Sequence, residues 1–263
     1  MVVPEEFDFE KLDDLSFALD RGKKVDKLPR MQASDISPVA ELFHYREKLS
    51  STDFLLGNGQ KFFNALASEM VSWSDPIGRS SGFLRASLSD AERELAQVKF
   101  QLETQKAAVE SGFHKSIAVQ FAATVGEFFD NIIEHSESRA TGFVAYQGME
   151  NKFEIVASDE GIGVLASLKS ASEFSSLCDH GSALNLVLTD GVSRFGSSSG
   201  RGRGFRPIFV GLANLKGRLR FRTGDHALTM DGKSINKLEA SLSQKPEISG
   251  FTISVNCDNP YLQ

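Results

Sequence analysis

The sequence predicts an α/β protein in which a sheet carries helices on one face, behind a helix-rich N-terminal region. Three observations predict it. Hydrophobic residues make up 41% of the 263 and include 21 phenylalanines, enough to build a sizeable core. From Phe113 onwards the chain reads helix, strand, strand, loop, helix, glycine-rich stretch, helix, and then several strands. The first 86 residues instead show helical periodicity broken repeatedly by turn residues.

The turn signals of that first region are Asp20-Arg21-Gly22, Leu28-Pro29, Ser37-Pro38, Gly57-Asn58-Gly59, Asp75-Pro76 and Ser80-Ser81-Gly82. Between them, 38–49 and 60–73 carry apolar residues three and four apart and are expected to be helices. No residue pattern there has catalytic spacing, so 1–86 is expected to be an accessory or partner-binding region.

Residues 87–112 form a connecting amphipathic helix. Ser89-Asp90-Ala91-Glu92 has the pattern of a capping box, and Gly112 supplies the stop. Leu88, Ala91, Leu95, Val98, Leu102, Gln105 and Val109 recur in steps of three and four. That seam suits either a homodimer through residues 88–109, as a short coiled coil, or packing on its own domain.

In 113–257 the first helix runs over about 117–136. At about 100° per residue, Glu127, Asn131 and His135 fall within an arc of about 80°, flanked by Asp130 and Glu134. Phe121, Val125, Phe128, Phe129, Ile132 and Ile133 take the opposite side. An ordinary surface helix splits in the same way. The residue types add something: a carboxylate and an amide one turn apart can orient a water and offer oxygen to a hard cation. Strands are expected at 141–147 and 153–157, with Glu150-Asn151 turning between them, and at 218–222 and 251–255.

The second of those strands ends in Ser158-Asp159-Glu160-Gly161-Ile162-Gly163. An aspartate leaving a strand can accept a hydrogen bond from an exocyclic amine, and glycines let a flat ring approach the backbone. Ordinary turns have the same pattern. Between Gly191 and Gly224 lie eight glycines, seven arginines, one lysine and no acidic residue, including Ser199-Gly200-Arg201-Gly202-Arg203-Gly204-Phe205. Glycine-rich backbone opening onto a helix presents amides to an anion. A flexible RNA-binding loop is the competing reading, weakened by few aromatics and by the acidic chain.

Taken in order, these elements resemble the GHKL ATPase family of gyrase, Hsp90, histidine kinases and MutL. Glu127-x-x-x-Asn131-x-x-x-His135 is similar to its asparagine box, Asp159-x-Gly161-x-Gly163 to its first glycine box, and Gly200 to Phe205 to its second, at the end of a lid. The resemblance covers 113–257. It implies a two-layer sandwich of a mixed, mostly antiparallel sheet with helices on one face. It also implies ATP and Mg²⁺ as ligands. By the same resemblance Asn131 holds Mg²⁺, Glu127 positions the attacking water, and Asp159 binds the adenine amino group beside Gly161 and Gly163. Gly200, Gly202 and Gly204 wrap the phosphates, Arg201 or Arg203 offsets their charge, and His135 lines the phosphate site or caps its helix. The family's closing Gly-Thr pair is here Gly250-Phe251-Thr252, with Thr252 as the counterpart of the adenine-binding threonine. His114 lacks the acid, arginine and proline that surround a phosphate-accepting histidine.

The expected activity is Mg²⁺-dependent ATP binding with slow hydrolysis that drives a conformational switch in concert with a protein partner. The alternatives are a serine/threonine protein kinase of the soluble bacterial anti-sigma type, and an interaction module that holds ATP without turnover. A net charge of −6 argues against general nucleic-acid binding. Two cysteines fit a reducing compartment, no apolar run reaches the ~20 residues of a membrane span, and the acidic start lacks signal-peptide character. A cytoplasmic protein is expected.

Overall fold

The computed structural model describes residues 4–23, 25, 28–76, 80–187, 217–231 and 239–259. Helix α1 (Phe9–Asp20) starts where the Asp8 side chain accepts from the Lys11 amide at 3.0 Å. Three two-residue strands, β1 (Glu5–Glu6), β2 (Met31–Gln32) and β3 (Leu55–Leu56), pair in parallel in that order. Helix α2 (Ile36–Leu42) runs into a 3-10 turn at Phe43–Lys48, and α3 (Asn58–Ala67) follows. The helix expected over 60–73 therefore stops early. Ser72–Ser74 is instead strand β4, which stacks Trp73 on Phe83 of β5 (Ser81–Arg85).

Two longer helices come next, α4 (Asp90–Glu110) and α5 (Lys115–His135), joined where Gly112 takes a positive φ of 96°. The expected capping box does not close on the backbone: Ser89 Oγ bonds the Glu92 carboxylate at 2.6 Å. Strands β6 (Phe143–Met149) and β7 (Lys152–Asp159) form a hairpin about Asn151, which takes a positive φ of 60°. After α6 (Gly163–Lys169) and α7 (His180–Val187), β8 (Arg218–Asp231) and β9 (Glu239–Asp258) complete a six-stranded sheet in the order β4-β5-β6-β7-β9-β8. Every pairing in it is antiparallel.

The molecule is thus mixed α/β, as the sequence predicts, but the sheet is covered on both faces. Alternation in the strands explains how. Val144, Tyr146, Ile155 and Ala157 point into a core with Phe100 of α4 and Phe121, Phe128 and Phe129 of α5. Phe83, Phe143, Ala145 and Val156 point the other way, into a core with Phe7, Phe43, Phe62 and Phe63 of the N-terminal layer. The second face explains why so many phenylalanines were needed.

Charges cross that second interface. Buried Glu41 on α2 pairs with Arg220 at 2.8 Å and Arg222 at 3.0 Å on β8, and Arg220 also reaches Asp13 of α1 at 2.6 Å. Burial works against Glu41's ionisation, but the two guanidiniums prevail and hold its carboxyl below the usual range. Among the described residues no helix is long and apolar enough to cross a membrane.

Candidate functional site

Helix α5 buries Phe121, Val125, Phe128, Phe129 and Ile132, which turns the Glu127–Asn131–His135 face away from the core. Glu127 is exposed, and Asn131 and His135 are half-buried. His114 caps the N-terminus, its ring accepting from the Ser116 amide at 3.4 Å, so it is a helix-boundary residue.

Asp159 is the last residue of β7 and is only 1% exposed. Its Oδ1 accepts from the Gly161 amide at 2.8 Å, while Oδ2 is buried with no hydrogen-bond partner among the described residues. Burial, only partly offset by backbone amides, pushes its pKa up from 3.8 to about 7. A buried carboxylate oxygen without a donor is costly, and a ligand N–H would remove that cost.

The loop after Asp159 is seated on the end of α5. Ile162 donates to the Ser136 carbonyl at 3.0 Å, and a Cβ at Gly161 would lie 2.0 Å from that oxygen, so only glycine fits. A Cβ at Gly142 would meet Ile132 Cγ2 at 2.3 Å and Asp159 Cβ at 3.5 Å. Asp159 therefore sits near Ile132, on the buried face of α5. Gly250 on β9, with φ of 67°, crosses so closely that a Cβ there would lie 2.4 Å from Asp159 Oδ1. Gly163 opens α6, whose Val164 amide donates to Thr223 Oγ1 at 3.2 Å. A cavity of about 520 Å³ opens beside this loop, lined by Gly161, Gly163, His180, Thr223 and Gly250; neither Asp159 nor the polar residues of α5 line it.

Thr252 is not brought to Asp159. Phe251 pairs with Asp159 and shares its face, so Thr252 projects to the opposite face. There its Oγ1 lies 2.7 Å from His44 Nε2 and 2.8 Å from Ser158 Oγ. The single residue inserted between Gly250 and Thr252 is what turns the hydroxyl over. Burial pushes the His44 pKa down to about 4, so the ring is a neutral partner. Gly200, Arg201, Gly202, Arg203 and Gly204 lie outside the described residues.

Nothing in the local residue pattern announces what the 3-10 turn at Phe43–Lys48 does. It supplies His44 behind Ser158, and Arg46, whose guanidinium clamps Glu160 through two hydrogen bonds, one of 3.0 Å. The residues on both sides of Asp159 are therefore held by the N-terminal layer. No spacing rule links positions 114 residues apart, so only the fold could reveal the clamp.

Among the described residues no three His, Cys, Asp or Glu side chains converge as a metal site. A cation held by Asn131 would thus depend on oxygens from a ligand, which is the usual manner of Mg²⁺ with phosphates. Compared with protein-family models, curated proteins and solved structures, the chain matches none.

Proposed function

We propose that this chain binds ATP with Mg²⁺ in the GHKL manner and hydrolyses it slowly, as a switch read by a protein partner. The observation that carries the reading is Asp159: a buried carboxyl, half satisfied by Gly161, next to the helix that presents Asn131 and Glu127. Its Oδ2, without a hydrogen-bond partner among the described residues, suits the adenine amino group. Glu127 has no hydrogen bond or ion pair with a described residue and is exposed, so it can orient a water for attack on the terminal phosphate. Asn131 would hold Mg²⁺ through its side-chain oxygen. The metal would supply charge neutralisation on the phosphates. Gly200, Gly202 and Gly204 would add backbone amides, and Arg201 or Arg203 positive charge. Thr252 has no part in this reading, because its hydroxyl serves His44 and Ser158.

Nucleotide choice tests it. Guanine presents a carbonyl where adenine presents its amino group, so GTP would set acceptor against acceptor at a cost of ~1–3 kcal/mol or more. Calorimetry on the full chain with Mg²⁺ should show ATP binding at least about tenfold tighter than GTP. Asp159→Asn should weaken ATP by a similar factor. Equal affinities for the two nucleotides overturn the reading.

A further inference from the structure

Helix α4 is apolar on two opposite faces. Its inner face places Phe100, Thr104, Ala107 and Ala108 against α5 and the sheet, all buried. Its outer face, half a turn away, carries Leu95 (76% exposed), Val98 (48%), Leu102 (61%) and Val109 (45%). These four are half of the eight large apolar side chains exposed among the described residues. Their spacing is that of a heptad seam, and a helix apolar on both faces needs cover on both.

We propose that the outer face of α4 is covered by α4 of a second copy of this chain, the two helices lying parallel about a two-fold axis. Charge chooses both the occupant and the direction. Glu94 and Lys99 are exposed and flank the seam on opposite sides, five residues apart. In a parallel pair this is the spacing at which a flanking residue meets the opposite flank of the other helix. Glu94 then meets the partner's Lys99, and two-fold symmetry makes the pair twice. In an antiparallel pair centred on the same seam, Lys99 would face its own counterpart. The inference does not rest on the ATP reading.

Sedimentation equilibrium on the full chain should give twice the 28.8 kDa of one copy. Leu95→Glu with Leu102→Glu should give a single copy with an unchanged circular dichroism spectrum, because both side chains are mostly exposed on one copy. Glu94→Lys alone should raise the dimer dissociation constant roughly tenfold, and adding Lys99→Glu should restore it. Leu102→Cys in a Cys178→Ser background should cross-link to its own counterpart under oxidation, since parallel helices place equivalent seam residues in one layer. A wild-type chain of single-copy mass overturns the proposal. A dimer that survives both seam substitutions overturns it too. A charge swap that fails to rescue, or a dimer that does not cross-link at 102, contradicts the parallel pairing.

Discussion

Replacing Asp159 with asparagine separates the demands of binding from those of folding. Among the described residues no donor reaches the buried Oδ2 of this carboxyl, and burial raises its pKa from 3.8 to about 7. The folded state therefore keeps a proton that the unfolded chain releases above about pH 4. With the folded pKa the higher of the two, the stabilising contribution is complete below about pH 4 and is lost as pH rises to about 7. The burden of the charged form is just under ~2 kcal/mol at pH 5 and ~4 kcal/mol at pH 8. Asparagine cannot ionise, so the stability of Asp159→Asn relative to wild type should rise by roughly 2–3 kcal/mol between those pH values. Its amide leaves a buried donor unpaired at a cost of ~1–3 kcal/mol at any pH, so the change with pH is the diagnostic. Urea unfolding without nucleotide at pH 5, 6.5 and 8 measures it. A difference that does not move with pH would mean that the carboxyl is ionised or solvated throughout.

Two predictions concern the inter-layer contacts. Desolvation of the half-buried His44 ring lowers its pKa from 6.5 to about 4, so its contribution is present above 6.5 and lost as pH falls towards 4. The stability advantage of wild type over His44→Asn should shrink by up to about 3 kcal/mol across that interval in the same urea assay; a constant advantage would mean the ring is protonated or exposed. Glu41→Ala would leave Arg222 without its carboxylate and Arg220 with Asp13 alone, and should destabilise by ~3–5 kcal/mol in urea unfolding. A loss below about 1 kcal/mol, the scale of an exposed pair, would show the cluster to be solvated.

The elements most legible in the sequence were those whose periodicity a single face enforces. Helix α5 declared its buried side through Phe121, Val125, Phe128, Phe129 and Ile132, and β6 and β7 declared theirs with a turn residue between them. The long β8–β9 hairpin was only half legible. Beyond Arg222 its residues turn polar through Gly224, Asp225 and His226, where the register shifts at a bulge. β4 was hidden because Ser72–Ser74 lies at the end of a helical pattern and is a strand only by virtue of pairing with β5. Asp159, Gly161 and Asn131 were readable only as candidates, because local spacing carries them. The grip of His44 and Arg46 on Ser158 and Glu160 was not, since it exists only once the N-terminal layer closes the second face of the sheet. Thr252 shows the limit of spacing: one inserted residue leaves the motif recognisable and reverses the side chain.

On the proposed reading, one face of α5 does two different jobs for one nucleotide. ATP affinity and phosphate release measured on folded Glu127→Gln and Asn131→Ala separate the two. Glu127→Gln should bind ATP at least as tightly as wild type, since a negative charge near the terminal phosphate is gone, while phosphate release falls ~10²-fold or more. Asn131→Ala should lose both binding and release, because a cation held through its side-chain oxygen would lose that ligand. If wild-type turnover persists in Glu127→Gln and neither substitution changes ATP affinity, α5 is an ordinary surface helix and the account is contradicted.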